Sequence, residues 1–124
     1  MIGDVEPLVR ELVRRQWTLV CFGHRAQPDA LAAVNRFEFW ADVVVLRGHD
    51  RAAAYRALLR PQDDPLEASW VVWHYLSDAE RTLHAVLSIP HDAVASVPYP
   101  IPEGCRIPET ERRPMTIRLG TASR

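Results

Sequence analysis

A chain of 124 residues, 48% hydrophobic and 25% charged, has the size and make-up of one soluble globular domain. A formal net charge of -1 argues against the strongly basic face that grips nucleic acid, and no apolar run approaches the roughly 20 residues that span a bilayer. Residues Met1 to Glu6 lack a basic stretch leading into an apolar core, so the expectation is a cytoplasmic protein in which Cys21 and Cys105 are two separate thiols.

Asp4 to Gln16 reads as an amphipathic helix. Asp4 suits the N-cap, Pro7 falls in the first turn, and Val5, Leu8, Val9, Leu12 and Val13 recur at helical spacing. Arg10, Glu11, Arg14 and Arg15 fill the other face. Trp17 to Gly23 follows as a strand, and His24 to Asp29 as a polar turn. Ala30 to Asn35 is Ala-rich and suggests a helical turn, although so short a piece seldom holds a helix alone. Phe39 to Arg47 is a strand whose centre, Val43-Val44-Val45-Leu46, is apolar enough to be buried on both sides, and Gly48-His49-Asp50 ends it with turn chemistry.

Two later segments carry opposed signals. Arg51 to Leu59 follows a good cap, Asp50, and is rich in helix formers. Ser77-Asp78-Ala79-Glu80 matches a capping box ahead of Leu83, Val86 and Leu87 at helical spacing. Yet Leu83, Ala85, Leu87 and Ile89 also alternate with Thr82, His84, Val86 and Ser88 at the period of a strand. As helices these segments give a βαβα chain with a partly parallel sheet; as strands they give an antiparallel meander. Between them, Arg60 to Glu67 reads as a mobile surface connection, and Ser69 to Leu76, with Trp70, Trp73 and Tyr75 among branched residues, reads as a largely buried strand. From Pro90 onward Pro98, Pro100, Pro102, Pro108 and Pro114 favour extended chain, and Met115 to Leu119 alternates like a short edge strand.

Several of these stretches resemble a group of small, uncharacterised actinobacterial proteins. The likeness runs through Trp17-Thr18, Asp42 to Arg47, Asp50 to Ala57, Trp73-His74-Tyr75, Thr82 to Pro90, Cys105 to Pro108 and Thr116-Ile117-Arg118. The resemblance implies strands at Arg51 to Leu58 and Thr82 to Ile89, and implies no activity. With it, the expectation is an α+β fold: an N-terminal helix packed on an antiparallel sheet of about five strands, an ordinary sheet size. The chain reads as one domain, residues 1–90 forming helix and sheet and 91–124 a proline-rich extended segment.

Catalytic and metal signatures are absent from the sequence. There is no Gly-rich phosphate loop, Gly-x-Ser-x-Gly or His-Glu-x-x-His, and neither Asp63-Asp64-Glu67 nor Glu109-Glu111 has calcium-loop spacing, so no cofactor and no metal is expected. Cys21 in an apolar strand reads as a small hydrophobe, and Cys105 as the more exposed thiol. His74 and His84 face each other across a strand pair in one register and lie on opposite faces in the next; two imidazoles alone fall short of a zinc site. Alternation puts Trp70 on one sheet face and Trp73 with Tyr75 on the other. The binding candidates are therefore Trp70, Trp73, His74, Tyr75 and His84. They point to a non-catalytic binding or accessory protein whose aromatic sheet face takes a protein partner or a second copy, with neither nucleic acid nor membrane as target. The alternative is a small enzyme acting on an apolar metabolite between helix and sheet, with His74 or His84 as acid or base.

Overall fold

The computed structural model describes residues 2–23, 28–90, 97–107 and 114–117. Helix α1 (Ile2–Arg14) leads into five strands, β1 (Thr18–Gly23), β2 (Pro28–Arg36), β3 (Trp40–Gly48), β4 (Arg51–Leu58) and β5 (Trp70–Ser77). Helix α2 (Ala79–Ser88) follows, then β6 (Tyr99–Pro100) and β7 (Pro114–Ile117). The sheet has seven strands in the order β6-β5-β4-β3-β2-β1-β7, and every pairing is antiparallel. This is the expected α+β architecture: the five long strands are the meander, and two short strands flank it. The alternative with a partly parallel sheet is excluded by the pairing.

Helix α1 buries Val5 and Leu12 and half-buries Leu8, Val9 and Val13, the stripe read from the sequence. It starts earlier than expected, so Pro7 lies inside it. Its end is a Schellman motif: Trp17 N–H donates to the Leu12 carbonyl at 3.0 Å and Gln16 N–H to the Val13 carbonyl at 2.9 Å. Gln16 takes the left-handed conformation this requires, with φ 68. Trp17 and Leu12 are both buried in one cluster, the apolar contact that usually accompanies the motif.

Two expectations about local structure need correction. Ala30 to Asn35 is not a helical turn but the body of β2, because β1 and β3 pair with it on both sides and satisfy its backbone groups. Thr82 to Ile89 is not a strand: Thr82 to Ser88 belong to α2 and Ile89 is its C-cap. Asp78 sits at the N-cap in an extended conformation and accepts a hydrogen bond from Arg81 N–H at 2.7 Å. The buried set is Ala79, Thr82, Leu83 and Val86, which is helical spacing. The strand reading of Arg51 to Leu58 holds, and Ala52 to Ala57 are buried on both faces.

Both faces of the sheet are covered. On one, α1 and α2 lie over Leu19, Ala33, Val44, Ala52 and Ala54, with Trp73 packed at the margin. On the other, Val43, Val45, Tyr55 and Val71 meet Ile101, Cys105 and Ile107 from the segment after β6. The proline-rich segment thus folds back over the sheet within its described part; Pro108 and the side chains of Glu109 and Glu111 lie outside the described residues. Among the described residues no helix is long and apolar enough to cross a membrane.

The connection from Arg60 to Glu67, expected to be mobile, is tied down. The Arg36 guanidinium donates to the carbonyls of Arg60 (2.7 Å), Pro61 (3.1 Å) and Asp63 (2.8 Å). Tyr55 O–H donates to the Pro65 carbonyl at 2.8 Å, and Asp64 caps a 3-10 turn over Pro65–Glu67. The Asp63 carboxyl is held below its ordinary value by the Arg60 backbone N–H and then by the Arg60 side chain.

Candidate functional site

Strand β5 carries four of the five residues singled out in the sequence, and a bulge decides where they point. Arg56 pairs with Trp73 but Ala57 pairs with Val71, so Val72 is an extra residue in β5. The alternation resets there. Trp70 falls on the same, helix-covered face as Trp73 and Tyr75, which corrects the expectation that strict alternation would separate them. Val71, His74 and Leu76 occupy the opposite face.

Trp73 and Tyr75 stack with ring centroids 6.4 Å apart and planes 8° from parallel. Trp73 is half-buried against the helix-side core, whereas Tyr75 is 36% and the neighbouring Leu76 48% exposed. On the other face the His74 Nδ1 lies 2.9 Å from the Tyr99 hydroxyl, and the two rings meet edge to face. Leu76 is held by a second 3-10 turn, Glu103–Cys105, whose Gly104 comes so close that a Cβ there would sit 3.3 Å from the Leu76 methyl carbons.

The feature that makes this a candidate surface is the edge itself. Strand β6 pairs only with Trp70 and Val71. Beyond them, among the described residues, no strand pairs with the outer side of residues 72–77. From Ser69 to Ser77 the strand has no Asp, Glu, Lys, Arg or Pro. These are the residues with which exposed edges are usually blunted. No family model, curated protein or solved structure matches this chain. The surface is therefore judged on its own chemistry.

The other candidates are scattered. His84 stands exposed on α2, a different element from His74, so the facing pair of imidazoles is not formed; the strand pairing it required is replaced by the helix. Trp70, 52% exposed, lines a wide cleft of about 910 Å³ with Leu58, Arg60, Gln62, Asp63 and Pro98. A second cleft, of about 420 Å³, runs between α1 and the ends of β2 and β3, with Val5, Val9, Leu31 and Leu46 as its apolar walls. Neither contains His74 or His84. Cys105, expected to be the more exposed thiol, is buried under the 3-10 turn, its Sγ 4.0 Å from the Ala54 carbonyl, and burial pushes its pKa up to about 11. No group of three or more His, Cys, Asp or Glu side chains converges among the described residues.

Sequence reasoning missed a buried ion pair. Arg56, 1% exposed, meets Asp42 in a two-pronged contact: Nε to Oδ1 at 2.7 Å and an Nη to Oδ2 at 3.0 Å. Its other Nη donates to the Pro90 carbonyl at 2.9 Å, and its guanidinium carbon lies 5.6 and 5.5 Å from the ring centres of Phe37 and Trp40. A charge so enclosed is inaccessible to a ligand. It fixes β3, β4 and the end of α2 together. The sequence alone did not give it: a regular hairpin closed at His49-Asp50 would set Asp42 opposite Ala57, and the irregularity between Leu46 and Gly48, with Arg47 as the extra residue, shifts the register by one and brings Asp42 opposite Arg56.

Proposed function

We propose that this chain is a small, non-catalytic cytoplasmic binding protein that docks an extended protein segment along the outer edge of β5. The observation that carries the reading is the unblunted edge at residues 72–77, flanked by the stacked Trp73 and Tyr75 on one face and by His74 and Leu76 on the other. In strand addition, backbone groups of the edge supply affinity while alternate side chains supply selectivity. Aromatic side chains that are already stacked lose little conformational freedom on contact, which is why they are enriched at interfaces.

The enzyme reading has less to stand on. An acid or base must lie within reach of a bound substrate, and His74 and His84 both lie outside the clefts. The resemblance to small actinobacterial proteins brings no activity to weigh against binding. A photo-crosslinking side chain at Leu76, introduced in the native host, tests the proposal. It is expected to yield protein adducts, and the same group at Arg10 on the exposed side of α1 is expected to yield none. Absence of any adduct from Leu76 overturns the reading.

A further inference from the structure

We infer that the segment taken up by this edge is β5 of a second copy, pairing antiparallel about a two-fold axis at Tyr75 and joining two seven-stranded sheets into one. The inference rests on the reading of the β5 edge as a docking surface and adds the identity of the occupant.

Charge is the first reason. An edge without Asp, Glu, Lys or Arg offers no complement to a charged strand, so it favours an uncharged one. Like charges set opposite each other destabilise a strand pair, and β5 against itself brings none together in any register. Few segments of this chain are so free of charge, and β5 of another copy is always present at the same concentration.

Shape is the second reason. With Tyr75 on the axis, Trp73 of each copy lies opposite Ser77 of the other, a large ring beside a small side chain, and His74 lies opposite Leu76. Tyr75 meets its own counterpart, with the two stacked Trp73 rings diagonal to it and within reach. A two-fold axis normal to the sheet keeps both helix-covered faces on one side. The pairing is closed, because the far edge is already occupied by β7, which is short and begins at Pro114. A strand edge with its flanking rings makes an interface at the low end of the size range, so association is expected on the order of micromolar.

Sedimentation equilibrium of the full chain, from low micromolar to near-millimolar concentration, reads this directly. The mass is expected to rise from 14.1 kDa to twice that value. Tyr75→Lys and Leu76→Lys, at exposed positions, are expected to retain the circular dichroism of the parent and to weaken association by about ten-fold or more, since each sets like charges near the axis. In the dimer, Tyr75→Cys is expected to form an intermolecular disulfide, because paired Cα atoms across the axis fall in the distance range that a disulfide spans. A chain that stays monomeric throughout overturns the inference, as does a dimer that survives both lysine variants or fails to cross-link at position 75. If Leu76 in the host yields adducts with another protein while the pure chain stays monomeric, only the second copy is ruled out. If it yields none, the docking reading fails as well.

Discussion

Arg56 and Asp42 illustrate how a single pair of side chains holds several elements at once. Removing two charges from water is costly, and here the cost is offset by two short hydrogen bonds, the Pro90 carbonyl and two aromatic rings. Truncating only one partner leaves the other charge buried alone. Asp42→Ala is therefore expected to lower stability by about 3–5 kcal/mol, while the double change Asp42→Leu with Arg56→Met recovers most of that loss. Urea unfolding of the parent and the two variants measures it, and a double variant no more stable than Asp42→Ala would refute the coupling. Gln16 gives an opposite case. A residue with a Cβ in the left-handed region carries a strain that glycine avoids, so Gln16→Gly is expected to raise stability by about 0.5–1 kcal/mol through its fit at the end of α1. Cys105 belongs to the same scale. Its raised pKa and burial predict that a maleimide leaves it unmodified in the native state at pH 8 and labels it once urea opens the fold.

Among the elements, β4 and α2 show why local signals ranked as they did. Ala52, Ala53, Ala54 and Ala57 are good helix formers, yet they lie in a central strand with neighbours on both edges and both faces buried. Small side chains there let α2 approach one face and the 97–107 segment the other; that is a tertiary demand, and local propensity is blind to it. In α2 the reverse happened: a capping box was readable, although it put the cap at Ser77 where the structure has Asp78, but an accidental alternation from Leu83 to Ile89 matched the strand period equally well. The helix α1 and the paired strands β1 and β3 were legible from their hydrophobic patterns, although α1 begins at Ile2, which places Asp4 inside the helix and not at its N-cap. The β5 bulge was not, since nothing in Trp70-Val71-Val72-Trp73 marks one residue as extra. The edge at 72–77 was equally hidden, because it depends on how few residues β6 contributes. Asp78→Ala is expected to cost about 1 kcal/mol through loss of the cap. On α1, Glu11 accepts from Arg14 and Arg15, and these bonds, Arg14 foremost, lower its pKa from 4.5 to about 2. A carboxyl with a depressed folded pKa stabilises above its ordinary value and loses that contribution as pH falls through the folded one. Thermal midpoints are thus expected to drop between pH 4.5 and 2, and Glu11→Gln is expected to flatten that part of the profile.

The whole molecule is a sheet that needs both of its covers. One comes from α1, closed by its Schellman motif, and α2, capped by Asp78; the other comes from residues 97–107, attached through two backbone pairs at β6 and a hydrogen bond from Ile101 N–H to the Ser69 carbonyl at 2.9 Å. Ile101, Cys105 and Ile107 close the face lined by Val43, Val45, Tyr55 and Val71. Each buried aliphatic side chain contributes about 1.5–3 kcal/mol, so removing this cover forfeits a large share of the 5–15 kcal/mol that keeps an ordinary domain folded. The same cover holds His74 through Tyr99 and presses Gly104 against Leu76, so it also sets the inner side of the proposed docking edge. A chain ending at Pro90 is therefore expected to keep much of its helical and strand circular dichroism, to bind a dye that lights up on apolar surface, and to lose its sharp urea transition, as a sheet with one bare face would. Urea unfolding with a sharp midpoint near that of the full chain, and no dye binding, would mean that the helix side alone secures the sheet and that the residues after Pro90, β7 included, only decorate it.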